Sequence, residues 1–98
     1  MEIERGVREG MKQEEKVIFE EARTSLFSEF DAEISEVETE IHDLKFNNAK
    51  KQLMLDIENA SGDEYTNLNS EFYSQLDALE KKLRLLNVKR QKLERILF

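Results

Sequence analysis

Two stretches of opposite charge stand at equal distances from one turn signal. Residues 29–43 carry seven acids (Glu29, Asp31, Glu33, Glu36, Glu38, Glu40 and Asp43) and no Lys or Arg. Residues 81–95 carry seven bases (Lys81, Lys82, Arg84, Lys89, Arg90, Lys92 and Arg95) against one acid, Glu94. Gly62 lies midway between them. Folding the chain back at Gly62 sets acid beside base, which predicts an antiparallel helical hairpin made within one molecule. The chain has no Pro to interrupt either arm, and Pro is the residue that breaks helices most strongly. Charged residues form 38% of the 98 positions, with the Glu, Lys, Leu and Arg enrichment of long helices and coiled coils.

Apolar spacing supports the same architecture. Phe27, Phe30, Ile34, Val37, Ile41 and Leu44 recur in alternating steps of three and four, the a/d pattern of a coiled-coil seam. Following apolar residues beyond Leu44 shifts the phase and continues through Phe46, Ala49, Leu53, Ile57 and Ala60. The next punctuation is Ser61-Gly62-Asp63-Glu64. Gly62 suits the left-handed position that closes a helix, while Ser61 with Glu64 has capping-box spacing and Asp63 is an alternative N-cap. A second seam then runs Tyr65, Leu68, Phe72, Leu76, Leu79, Leu83, Leu86, Arg90, Leu93 and Leu97.

The two seams match in antiparallel register. Facing residues in such a hairpin keep a constant index sum, and the sum is 125 for Leu53 with Phe72, 124 for Ile41 with Leu83 and 123 for Val37 with Leu86. The flanking charges Glu40 with Lys82 and Glu33 with Lys89 fall opposite one another, Lys45 meets Glu80, and only Asp31 with Glu94 is repulsive. Exposed pairs contribute about 0.2–1 kcal/mol each, so they set register and direction while the apolar seam supplies most of the stability. Arg90 occupies a core position and reads as a register device, its stem buried and its head reaching the acidic flank. Glu33, Glu40, Lys82, Lys89, Arg90 and Gly62 are therefore the residues expected to define the hairpin.

The expected fold is all-α: one domain over 1–98, with hairpin helices at 27–60 and 64–98 and an additional N-terminal helical segment over 1–25. The second arm is too short to cover residues 1–25. That segment either folds back near Thr24–Ser28 as a three-helix bundle, or extends the first helix and packs on another chain as a dimeric bundle. Apolar residues off the seams need cover too, since a lone hairpin with such groups exposed is marginal. The candidate partner surface is Val7, Met11, Ile18, Phe19, Leu85, Val88, Ile96 and Phe98.

Most chemistry is excluded. There is no Cys, hence no thiol nucleophile and no disulfide frame. His42 is the single histidine, without the second His or Glu-x-x-His spacing of a bundle metal site, and reads as a surface residue. The carboxylates recur along solvent-facing helix positions with no pocket to tune them, and no Gly-rich phosphate loop is present. The expectation is a protein that is not an enzyme and takes no metal or cofactor. A net charge of −7 speaks against nucleic acid, and the basic arm has an acidic partner of its own, which speaks against a membrane surface. The absence of a long apolar run or signal-peptide pattern predicts a soluble, cytoplasmic chain.

Three function classes remain. The first is a protein-interaction module: a small coiled-coil adaptor, assembly chaperone or complex subunit, presenting its off-seam strip to another protein or to a second copy as a homodimer. The second is an acidic mimic of nucleic acid that occupies a basic protein. The third comes from a resemblance: Asn59-Ala60-Ser61-Gly62-Asp63-Glu64-Tyr65, followed by Leu68 and Leu79, resembles the helical tail of bacterial replicative primases, which implies a helix–turn–helix element that binds the replicative helicase.

Overall fold

A computed structural model describes residues 12–96. Val7, Met11 and Phe98 of the expected partner surface lie outside the described residues. Among the described residues the secondary structure is two helices, α1 (Gln13–Ile57) and α2 (Gly62–Glu94), with no strand. They form a helical hairpin. The first helix does not begin near residue 27: Thr24–Ser28 is continuous helix interior, so no fold-back occurs there. Nothing in the segment forces a break, because Ala22 to Ser28 contains no Gly or Pro, and Thr24 satisfies its hydroxyl internally by donating to the Glu20 carbonyl at 3.1 Å.

The turn is built around Asn59 rather than Gly62. The Ala60 N–H donates to the Leu55 carbonyl at 3.0 Å and the Asn59 N–H to the Asp56 carbonyl at 3.3 Å. These are the paired bonds of a Schellman ending, with Asn59 in the left-handed position at φ 54°. Asn tolerates that conformation better than other residues with a Cβ. Because Asn59 precedes Gly62, it closes the helix first. Gly62 then becomes the first residue of α2, with an ordinary backbone angle. Ser61 stands at the N-cap, its carbonyl accepting from the Glu64 N–H at 3.1 Å. Asp63 and Glu64 lie in the first turn, where negative charge is stabilised by the helix dipole.

The chain divides into two compact units. One is Ser35–Arg84. Its interior row on α1 is Val37, Ile41, Leu44, Asn48, Gln52 and Leu55, with Val37 fully buried. The seam expected after Leu44 does not run through Phe46, Ala49, Leu53 and Ile57, all of which are exposed. Each residue turns a helix by about 100°, so Phe46 lies roughly 200° from Leu44 and cannot share its face. The inward row instead steps four, four and three from Leu44 through Asn48 and Gln52 to Leu55, leaving Phe46, Leu53 and Ile57 at 58%, 61% and 72% exposure. With that correction the alignment holds without a slip: Ile41 with Leu83, Asn48 with Leu76, Gln52 with Phe72 and Leu55 with Asn69 all have an index sum of 124. Inside this unit Gln52 Nε2 donates to Asn69 Oδ1 at 3.2 Å. The Asn48 Oδ1, also buried, has no partner.

The described part of the other unit is residues 12–34 with 85–96. Leu86 and Leu93 are its buried side chains, joined by half-buried Arg23, Phe27, Phe30 and Ile34 from α1 and Arg90 and Ile96 from α2. The α2 helix closes with tight turns, Arg95 N–H to the Lys92 carbonyl at 3.1 Å and Ile96 N–H to the Leu93 carbonyl at 3.2 Å.

Candidate interaction surfaces

In the unit formed by 12–34 and 85–96, two guanidinium groups gather at one aromatic ring. Arg90 lies over Phe27 at 5.0 Å and Arg23 lies over the same ring at 5.4 Å. Arg90 Nε donates to Asp31 at 2.6 Å, and its Nη1 to Glu94 at 2.5 Å. One cation thus sits on both acids that face each other unfavourably, which turns a repulsive contact into a bridged one. The hydrogen bond that Arg90 donates to Asp31 is the main reason the Arg90 pKa rises further above its ordinary value, so its charge is fixed at any working pH. Arg23 Nη2 donates to the Glu94 backbone carbonyl at 2.9 Å, placing a cation at the C-terminal end of α2 where the dipole favours it. The other charges expected to set register do not form close pairs: Glu33, Glu40, Lys82 and Lys89 are exposed, and the close ion pairs among the described residues are Arg90 with Asp31 and Glu94, and Lys81 with Asp77.

Around this buttress, the expected partner residues are open to solvent. Ile18 is 59% exposed, Phe19 38%, Leu85 55% and Val88 43%, and Ile96 is half-buried. They do not make one strip. Phe19 and Leu26, seven residues apart, share a flank of α1, whereas Ile18 points away from the seam. Leu85 and Val88 lie one turn apart on the outer face of α2. The two helix ends differ in charge. Exposed Glu14, Glu15, Glu20, Glu21, Glu29 and Glu33 border the α1 residues, and Lys89, Lys92 and Arg95 border Leu85 and Val88.

In the Ser35–Arg84 unit, the exposed apolar groups are Phe46, Leu53, Met54, Ile57 and Tyr73. Three of them, Phe46, Leu53 and Ile57, form with Lys50 a row spaced four, three and four on the solvent side of α1. Sequence reasoning missed this row as a surface because it assigned those same residues to the interior. The roughly 200° between Leu44 and Phe46 around an unbroken helix was the available signal. Beside the row an open groove of about 700 Å³ is lined by Lys50, Lys51, Met54 and Leu55 of α1 and by Glu64, Leu68 and Glu71 of α2. Nearer the turn, the Tyr65 hydroxyl donates to Asp56. That hydrogen bond, aided by burial and the carboxylate charge, raises the Tyr65 pKa above its ordinary 10.0.

His42 is exposed and stacks on Phe46 with ring centres 6.5 Å apart. Among the described residues no group of three or more His, Cys, Asp or Glu side chains is placed to hold a metal ion, and no helix is long and apolar enough to cross a membrane. No protein-family model, curated protein or solved structure matches this chain.

Proposed function

We propose that the chain is a non-enzymatic protein-interaction module, a small coiled-coil adaptor or assembly subunit, that pairs with a second copy of itself through the unit formed by 12–34 and 85–96. The observation behind this reading is the placement of Leu85 and Val88, about half exposed, on a basic helix end, with Ile18 and Leu26 exposed on an acidic one. A two-fold arrangement sets the acidic end of each copy against the basic end of the other, twice, and covers apolar groups on both. The product is a dimeric bundle. It is preferred to a three-helix bundle because α1 runs unbroken through 24–28, leaving no turn there to bring residues 13–25 back onto the hairpin.

Sedimentation equilibrium over a wide concentration range tests the proposal. The wild type should approach twice 11.6 kDa as concentration rises, and its thermal midpoint should rise in parallel. The Leu85→Glu, Val88→Glu variant should remain at the monomer mass with its helix content intact. A wild type that stays monomeric with a concentration-independent midpoint would overturn the reading.

One observation favours a second reading, an acidic mimic of nucleic acid. All seven acids of residues 29–43 are exposed, and among the described residues only Asp31 of these is held in a close ion pair. Binding to a polybasic peptide that disappears on adding salt supports it; salt-insensitive binding, or none, removes it.

A further inference from the structure

Within the Ser35–Arg84 unit, the contact between α1 and α2 near the turn is unfinished at one place. The Asn48 Oδ1 is buried without a hydrogen-bond partner. Beside it lies a hollow of about 40 Å³, between Leu44 and Asn48 of α1 and Leu68 and Phe72 of α2. An orphaned acceptor and an unfilled hollow both cost stability. The residues that follow the two inward amides tell the other half. Ala49, next to Asn48, is exposed, and Leu53, next to Gln52, is 61% exposed. Each inward amide is thus followed directly by an outward apolar residue.

That offset is one residue, and α2 fits both rows. The observed index sum of 124 pairs Asn48 with Leu76 and Gln52 with Phe72. A sum of 125 pairs Ala49 with Leu76 and Leu53 with Phe72. Passing from one to the other turns the end of α1 by about 100° and slides it about 1.5 Å along α2. The exchange is nearly even. Asn48 and Gln52 regain water while Ala49 and Leu53 lose it. Leu55 turns outward, and Asp56 takes its site opposite Asn69. Asn69 gives up Gln52 and can donate its amide to that carboxylate instead. Two packings whose gains and losses nearly cancel are what a bistable element requires.

Both ends of such a step have somewhere to go. Upstream, Val37, Ile41 and Leu44 keep their places if α1 takes up one extra residue between 45 and 48 as a π-bulge, the one-residue irregularity that α-helices accommodate. Downstream, the end of α1 draws back from the start of α2 by about 1.5 Å. Gly62 stands there with nothing within 4 Å of a Cβ position, and the observed turn does not use it as the left-handed residue. Its free backbone angles let the link lengthen without strain.

We infer that residues 45–57 are a two-register element, which steps by one residue along α2 and exchanges an inward Asn48–Gln52 row for an inward Ala49–Leu53 row. The step makes the surface of this unit conditional: Leu53 faces outward in the observed register, and the two amides face outward in the other.

The chain has no Cys, so introduced pairs report register without background. In the full chain under a glutathione redox buffer, Asn48→Cys with Leu76→Cys reads the observed register and Ala49→Cys with Leu76→Cys the shifted one. Lys50→Cys with Leu76→Cys faces neither. The Ala49 pair should close intramolecularly at a rate within about a hundredfold of the Asn48 pair and faster than the Lys50 pair. Adding Leu53→Gln, a change at an exposed site in one register and an inward site in the other, should slow the Ala49 pair at least about tenfold and leave the Asn48 pair unchanged. Closure of the Ala49 pair no faster than the Lys50 pair overturns the inference. So does closure that Leu53→Gln leaves unchanged, which would assign it to proximity within a single register. If Leu76→Cys lowers the helix content, Asn69→Cys takes its place, with Leu55→Cys for the observed register and Asp56→Cys for the shifted one, and the same outcomes decide.

Discussion

Replacing Arg90 by Ala removes three interactions that converge on one side chain, and the geometry sets the size of the loss. The guanidinium is held by Asp31 and Glu94, whose side chains are 57% and 52% exposed, while that of Arg90 is 34% exposed. Each of these ion pairs is therefore worth only about 0.2–1 kcal/mol after screening. The contact with the Phe27 ring at 5.0 Å adds about 0.5–1 kcal/mol. Removal also leaves Asp31 and Glu94 facing each other without the bridging cation. The expected loss is about 1–3 kcal/mol, which for a domain of this size lowers the thermal midpoint by roughly 5–15 °C. Thermal unfolding followed by circular dichroism at low salt and at about 1 M NaCl separates the causes. The electrostatic share should shrink in salt while the packing share persists. Arg90→Leu is the control: it keeps an apolar stem between Leu86 and Leu93, so its stability should lie within about 1 kcal/mol of wild type and rise with salt as the two acids are screened. If Arg90→Ala changes stability by less than about 0.5 kcal/mol, or its effect is the same at both salt concentrations, the convergence of contacts at Phe27 is not what holds this end of the hairpin.

Three further outcomes follow from the turn and the interior. Gly62 is helical and a Cβ built there meets nothing within 4 Å, so Gly62→Ala should stabilise by about 0.4–1 kcal/mol in urea denaturation. A destabilised variant would restore the reading that the turn needs a glycine there. Tyr65 has its pKa raised by donating to Asp56. The stability this gives is therefore present below pH 10 and lost as pH rises through the folded-state value, so wild type should lose its advantage over Tyr65→Phe in alkaline melts. A difference that is flat with pH counts against the hydrogen bond. Gln52→Leu alone should cost about 1–3 kcal/mol by orphaning Asn69, and adding Asn69→Leu should recover most of it. Strict additivity of the two substitutions in a double-mutant cycle would show that the 3.2 Å bond carries no coupling.

The sequence displays the hairpin clearly and misplaces two of its details, both for physical reasons. The charge mirror and the heptads from Phe27 to Leu44 and from Tyr65 to Leu93 locate the two arms, because a repeat of apolar residues at 3.5 positions has few other uses. Arg90 is legible as well: a base interrupting an apolar row has to reach for acid, and Asp31 is within its grasp. Gly62 misleads because glycine is the commonest left-handed helix terminator, yet any earlier residue that tolerates that conformation ends the helix first, and Asn59 does. The seam beyond Leu44 misleads because hydrophobicity and helical phase disagree there. Apolar content points to Ala49 and Leu53, whereas an unbroken helix presents Asn48 and Gln52. The contacts of Leu85, Val88 and the Phe46 row are the least legible part, since exposure of a heptad residue depends on what the other helix leaves uncovered.

That disagreement between content and phase bears on how the hairpin works. In the Ser35–Arg84 unit, Asn48, Gln52 and Asn69 occupy interior positions where Leu would bury more apolar surface, and one polar atom there is left unpaired. Polar residues at such positions fix register at a cost in stability, so the arm near the turn is held in alignment more than it is held tightly. An exposed row of Phe46, Leu53 and Ile57 on the same helix offers the stabilisation that the interior forgoes, and it becomes available only when something covers it. The amides of residues 44–57 should accordingly exchange faster in hydrogen exchange of the free chain than those of residues 36–43, which pack on Val37 and Ile41. Equal protection along the two stretches would show that the polar positions near the turn cost this arm no stability.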